Sequence, residues 1–224
     1  MSNQKKSEQQ NLRVIKPTRT EFLNALVSGN HILCSELAHT CMTDHIPIKE
    51  LYEKIIMKAM YDIGELWESN KISVATEHMA SAIVESILNQ LYFEIISKEK
   101  KNKTVVAACV ENEFHQIGIK MISDVFEMNG WNALFLGSNT PTSELISFIK
   151  LKNPDLLAIS LSLYFNLPGL EKMIEKVQKE FAELPIIVGG QAFRHGGQDV
   201  LSKYKNVVYL PDLDSVELFI KNFN

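Results

Sequence analysis

No apolar run in this chain approaches the roughly 18 residues that a helix needs to cross a bilayer, so no membrane span is expected. Positive charge is not in surplus either: 23 Lys and Arg stand against 27 Asp and Glu, for a formal net charge of -4. That balance gives no basic field for nucleic acid, and direct nucleic-acid binding is not expected. Cysteine is scarce. Cys34, Cys41 and Cys109 form no disulfide framework and show no paired metal spacing, and Cys109 lies inside an apolar run. A reduced, cytoplasmic setting fits that usage. The first ten residues are polar and lack the apolar core of a signal peptide. A Ser-His-Asp spacing, a phosphate loop and a paired zinc motif are all missing, so the chain holds no complete catalytic set and is expected to be non-catalytic.

What is present is ample apolar material, 46% of 224 residues, enough for one large or two small packed domains. Residues 1–16 are rich in Gln, Lys, Asn and Ser and read as a disordered tail. Residues 17–100 carry helical periodicity. A first short helix contains Phe22, Leu23 and Leu26 and stops at Gly29-Asn30; a second runs from His31 to Met42. A third starts at Pro47 and ends near Asn70, with Leu51, Ile55, Ile56, Met60, Ile63 and Trp67 on one face. Ser73 is a candidate N-cap for a fourth, in which Met79, Ala80, Ile83, Val84, Ile87, Leu88 and Leu91 recur at helical spacing.

Over residues 102–224 short apolar runs alternate with amphipathic stretches, with strands expected at 104–110, 131–136, 155–161, 185–189 and 206–210. The fold class is therefore α/β: a four-helix domain followed by a five-stranded parallel sheet, Rossmann-type and flavodoxin-like in order. Such a sheet binds ligands at the carboxyl ends of its strands, where the strand order reverses. Glu113-Phe114-His115-Gln116-Ile117-Gly118 falls in the loop after the first strand. A neutral His115 there can ligate a metal, a carboxylate at Glu113 can hold its other ring nitrogen, and Gly118 lets a bulky ligand approach the backbone. Ser160 and Ser162 follow at the end of the third strand, and Gly189-Gly190 at the end of the fourth.

This pattern, His-x-x-Gly, then Ser160 after 41 intervening residues, then Gly-Gly separated from Ser162 by 26 residues, resembles the cobalamin-binding domain of methionine synthase, the corrinoid mutases and their relatives. The resemblance implies that His115 is the lower axial ligand to cobalt, displacing cobalamin's own dimethylbenzimidazole. It implies that Ser160 contacts the nucleotide tail and that Gly189 and Gly190 let the tail pass. Glu113 stands where the family usually has Asp, and Ser162 where Leu is usual.

In the helical half, Trp67, nine intervening residues and then Glu77-His78 resemble the cap of bacterial cobalamin-dependent photoreceptors that regulate transcription. In that family the tryptophan shields the upper ligand and the Glu-His pair surrounds the adenosyl group of adenosylcobalamin, which light releases. The implied role is a cobalamin sensor, with residues 17–100 covering the upper face. Its partner would be a protein such as a transcription regulator, and self-association is expected. The short polar tail leaves no room for those regulators' winged-helix head, and Glu68 stands where the best-studied type has a histidine that captures cobalt. A corrinoid methyl carrier that partners methyltransferases, with methylcobalamin as the cofactor form, is the alternative, and simple cobalamin storage a third.

Overall fold

The computed structural model describes residues 19–223, and the tail expected over 1–16 lies outside them. The described residues fall into two compact units that divide between Phe93 and Glu94.

The first unit is helical. Helix α1 spans 19–27, α2 His31–Thr43, α3 Ile48–Glu50, α4 Met57–Glu68 and α5 Val74–Ile95, the last running past the boundary between the units. Asn30 caps α2, its side-chain oxygen accepting from the Leu33 N–H at 3.1 Å. The third expected helix differs in detail. Pro47 stands just outside it in extended backbone, and α3 and α4 are joined by a π-helical stretch, Leu51–Ile56. There the Met57 N–H reaches back to the Tyr52 carbonyl instead of Glu53. The π-helical stretch buries Leu51, Tyr52, Ile55 and Ile56. Helix α4 ends in a Schellman motif: Asn70 takes a left-handed φ of 56°, its N–H bonds the Trp67 carbonyl, and the Lys71 N–H bonds the Leu66 carbonyl. Ser73 caps α5 through its hydroxyl, which accepts from the Thr76 N–H at 3.2 Å.

The second unit is a five-stranded parallel sheet in the order β2-β1-β3-β4-β5. Its strands are β1 Thr104–Cys109, β2 Asn132–Gly137, β3 Leu156–Ser160, β4 Ile186–Gly189 and β5 Val207–Tyr209. Each agrees with its expected span to within a residue at either end. Helices α6 Ile117–Met128, α7 Thr142–Lys152, α8 Leu167–Glu180, α9 Gln198–Leu201 and α10 Leu213–Asn222 follow the strands in turn. The interior strands β1 and β3 are almost wholly buried, which is why they read as unbroken apolar runs rather than alternating ones. Trp131 anchors the core on one side, edge-on to Phe126 and Phe223 with ring centroids 5.1 Å from each.

The basic run Lys98-Glu99-Lys100-Lys101-Asn102-Lys103, just before β1, is partly structural. Lys100 bonds the buried Glu127 at 2.6 Å and Lys103 lies 3.4 Å from Asp155, so two of its charges fasten the entry to the sheet.

Candidate functional site

The strand order reverses between β1 and β3, and the loops that leave their carboxyl ends are tied together there. Val110 donates its N–H to the Ser160 carbonyl at 3.2 Å, continuing the ladder one step beyond β1. The chain then turns through Asn112, with a left-handed φ of 66°, and the Asn112 N–H is held by the Asn139 side chain at 3.0 Å. Glu111 faces the start of α7, where its carboxylate accepts from both the hydroxyl and the N–H of Thr142. Those bonds hold the Glu111 carboxyl below the ordinary glutamate value.

Glu113 is the centre of the corner. It is fully buried, and one of its oxygens lies 2.5 Å from His115 Nδ1 and 3.1 Å from the His115 backbone nitrogen. The other accepts from the N–H groups of Ser162, at 3.0 Å, and Leu163, at 2.9 Å. Four donors thus satisfy the roughly four lone-pair sites of one carboxylate. Burial opposes its charge, but the His115 ring and the backbone N–H groups of His115 and Leu163 outweigh burial, and its pKa lies below the ordinary value. Nδ1 is directed at Glu113, and a neutral ring protonated there would leave Nε2 as its lone-pair nitrogen. The imidazole itself is half-exposed. Beneath the loop, the buried Cys109 thiol donates to the His115 carbonyl, and burial pushes its pKa up to about 12.

Gly118 lies in the first turn of α6. A Cβ there would meet only the Ser160 hydroxyl, at 3.8 Å, so nothing in the protein's own packing demands glycine. Ser160 is buried at the end of β3, and Ser162 stands two residues on with its backbone N–H committed to Glu113. The glycine pair differs from Gly118. A Cβ at Gly189 would come within 2.9 Å of the Leu210 carbonyl, and at Gly190, where φ is 116°, within 2.1 Å of the Leu161 carbonyl. Internal close approach requires both glycines whatever else they do.

In the helical unit, half-exposed Trp67 lies in the last turn of α4, and Glu77 and His78 lie in the first turns of α5 beyond a five-residue connection. His78 Nε2 is 3.5 Å from Glu77 Oε2, and the imidazole is 75% exposed. The Ser81 hydroxyl, one turn further on, donates to Glu77 Oε1 at 2.8 Å. Among the described residues no hydrogen bond or ion pair joins Trp67 to this pair. Ser81 was open to the sequence reading, since it lies at i+4 from Glu77 on the same helix face. The backbone N–H groups on Glu113 carried no signal of their own, being 49 and 50 residues away from it in sequence.

These donors fit a metal that arrives with most of its coordination filled. Among the described residues no group of three or more His, Cys, Asp and Glu is placed to hold a bare ion. A single oriented imidazole beside a glycine whose Cβ space is open suits a metal inside a macrocycle. No helix among the described residues is long and apolar enough to cross a membrane.

Comparison with known proteins agrees with that chemistry. Two family matches, both described as B12 binding domain, cover residues 18–92 and 103–212. The HTH-type transcriptional repressor CarA of Myxococcus xanthus is 27% identical over 124 residues, 55% of this chain and 43% of that protein. CarH of the same organism is 24% identical over 66% of this chain and 50% of its own length. The chain therefore spans half or less of these two relatives. Dimethylamine corrinoid protein 3 of Methanosarcina acetivorans is 26% identical over 65% of this chain and 70% of its own length. The solved structure of the Methanosarcina barkeri monomethylamine corrinoid protein shares the fold, with a TM-score of 0.78 at 16% identity over 94% of this chain and 99% of that one.

Proposed function

From the premise that this chain is a cobalamin-binding protein with a B12 binding domain in each half, we propose that it is a sensor module for adenosylcobalamin. The observation that carries the reading is the pairing of two Glu-His sets in one chain. One is the buried, saturated Glu113 with His115, and the other the more open Glu77 with His78, preceded by an exposed tryptophan. A carrier of a small alkyl group has little use for a polar pair and an aromatic plate in its helical half, whereas an adenosyl group offers hydroxyls and a flat base to both.

In this reading His115 would hold the cobalt of the cofactor through Nε2, as its lower ligand, while Glu113 would fix the tautomer. Gly118, Ser160, Ser162, Gly189 and Gly190 line the path of the nucleotide tail. Trp67, Glu77 and His78 receive the upper ligand. When bound, the cofactor supplies a cobalt-carbon bond that light breaks, and the chain's part is to hold one arrangement while the upper ligand is present and another once it has left. The output would be a change in self-association or in binding to a protein such as a transcription regulator, in the cytoplasm and without direct contact to DNA. The repressor relatives support this output.

Absorption spectra and size-exclusion profiles of the protein loaded with adenosylcobalamin, recorded in darkness and after illumination, test the reading. A light-dependent change in both is expected, with the lower-ligand signature lost in His115→Ala. An assembly state that ignores light overturns the sensor role and leaves cobalamin binding standing.

The corrinoid methyl-carrier reading is supported by one specific observation, the larger share of its own length that the dimethylamine corrinoid protein matches. Methylcobalamin would then be the cofactor form, and methyl transfer to or from a partner methyltransferase would replace the light response.

A further inference from the structure

Three exposed aromatic side chains lie on the two loops that Glu113 ties together, the His115 loop and the one after β3. Phe114, immediately before His115, is 67% exposed; Tyr164 and Phe165, in the 3-10 turn Tyr164–Asn166 after β3, are 46% and 78% exposed. That turn is stapled to the His115 loop at both ends. The Leu163 N–H is held by the same Glu113 carboxylate that holds the imidazole, and the Asn166 side chain donates to the Glu111 carbonyl at 3.2 Å. On its far side, the Tyr164 ring lies 3.5 Å from where a Cβ at Gly197 would stand, next to the loop after β4. Exposed large apolar side chains scattered singly need no explanation, but three fixed at the edge of one metal-ligating loop mark a covered surface.

We propose that Phe114, Tyr164 and Phe165 form an aromatic collar that packs against the corrin macrocycle and sets the affinity for the ring, separately from the nucleotide tail. The inference rests on the cobalamin reading of His115. A macrocycle coordinated through Nε2 is far wider than the imidazole beneath it, so it overhangs whatever flanks that residue. The exposed rings on the two loops tied to Glu113 are these three, and they would give large contact area for few rotatable bonds. Because they lie outside the core, replacing them leaves the fold in place.

Cobinamide, a corrinoid without the nucleotide tail, isolates the contribution of the ring. Spectral titration of the full chain with cobinamide and with hydroxocobalamin is expected to show Phe165→Ala and Tyr164→Ala each weakening both ligands about tenfold, equivalent to about 1.4 kcal/mol. Phe165→Leu should recover part of that loss, and thermal unfolding of the unliganded variants should match wild type. Unchanged affinity for cobinamide in all the variants overturns the collar and assigns the patch to a protein partner. If wild type itself binds neither corrinoid, it is the cobalamin reading that fails.

Discussion

Glu113 and Glu77 each stand beside a histidine, one in each unit, and their surroundings differ. Glu113 is sealed in the sheet unit, 2.5 Å from the ring nitrogen it fixes, with both oxygens committed and two of its donors reaching in from another strand's loop. Glu77 keeps part of its side chain in solvent; it takes one hydrogen bond from Ser81 and lies 3.5 Å from an imidazole that is mostly exposed. The first pair is preorganised, so the geometry of its imidazole is set before any ligand arrives. The second can re-aim at little cost. The proposed sensor would call for this division, since an anchor that persists benefits from rigidity and a contact that is lost does not.

The largest effect should come from dismantling the buried pair. Glu113→Ala removes the acceptor for the Ser162 and Leu163 N–H groups as well as for His115, and each buried donor left without a partner costs about 1–3 kcal/mol. Denaturant unfolding should therefore show a loss of about 3 kcal/mol, whereas Glu77→Ala, which gives up one bond at a partly solvated site, should lose less than about 1 kcal/mol. Equal losses in the two variants would break the contrast.

A smaller effect follows from acid. The Glu113 pKa is depressed by its His115 and Leu163 partners, so the stability it contributes is fully present above the ordinary glutamate value of 4.5 and is lost as the pH falls through the lower folded value. Wild type should lose stability faster than Glu113→Gln over that acid range, because the amide has no proton to take up. Parallel stability curves for the two proteins below about pH 4.5 would show that the charge of this group is not what the surrounding N–H groups hold.

Much of this arrangement could be read from the chain. Strand positions emerged because β1 and β3 are buried on both faces and bounded by polar loops, which confines apolar residues to short unbroken runs. The Glu113–His115 contact was legible because it is local, two residues apart on one loop. What reached Glu113 from Ser162 and Leu163 was not, since backbone N–H groups are the same in every residue and only tertiary placement selects them. The π-helical stretch at Leu51–Ile56 escaped because an unbroken apolar stripe is compatible with either helix. Phe114, Tyr164 and Phe165 were visible as residues, but their exposure depends on which elements fail to cover them.

The smallest expected effect on stability separates two kinds of glycine at the sheet's carboxyl edge. Gly190 is fixed by the Leu161 carbonyl, against which a Cβ would stand at 2.1 Å, so glycine at this position says nothing about a ligand. Gly118 has an ordinary helical φ and only the Ser160 hydroxyl nearby. In a helix, alanine is preferred to glycine by up to about 1 kcal/mol, so Gly118→Ala should leave the unliganded protein as stable as wild type or slightly more so. The same methyl would occupy space beside His115 that the proposed cofactor needs, and cobalamin affinity measured by spectral titration should fall. A variant that is destabilised shows that protein packing, rather than a ligand, selects glycine here. A variant that gains stability and still binds cobalamin at full strength moves the cofactor's path away from the start of α6, while His115, held by Glu113, keeps its place.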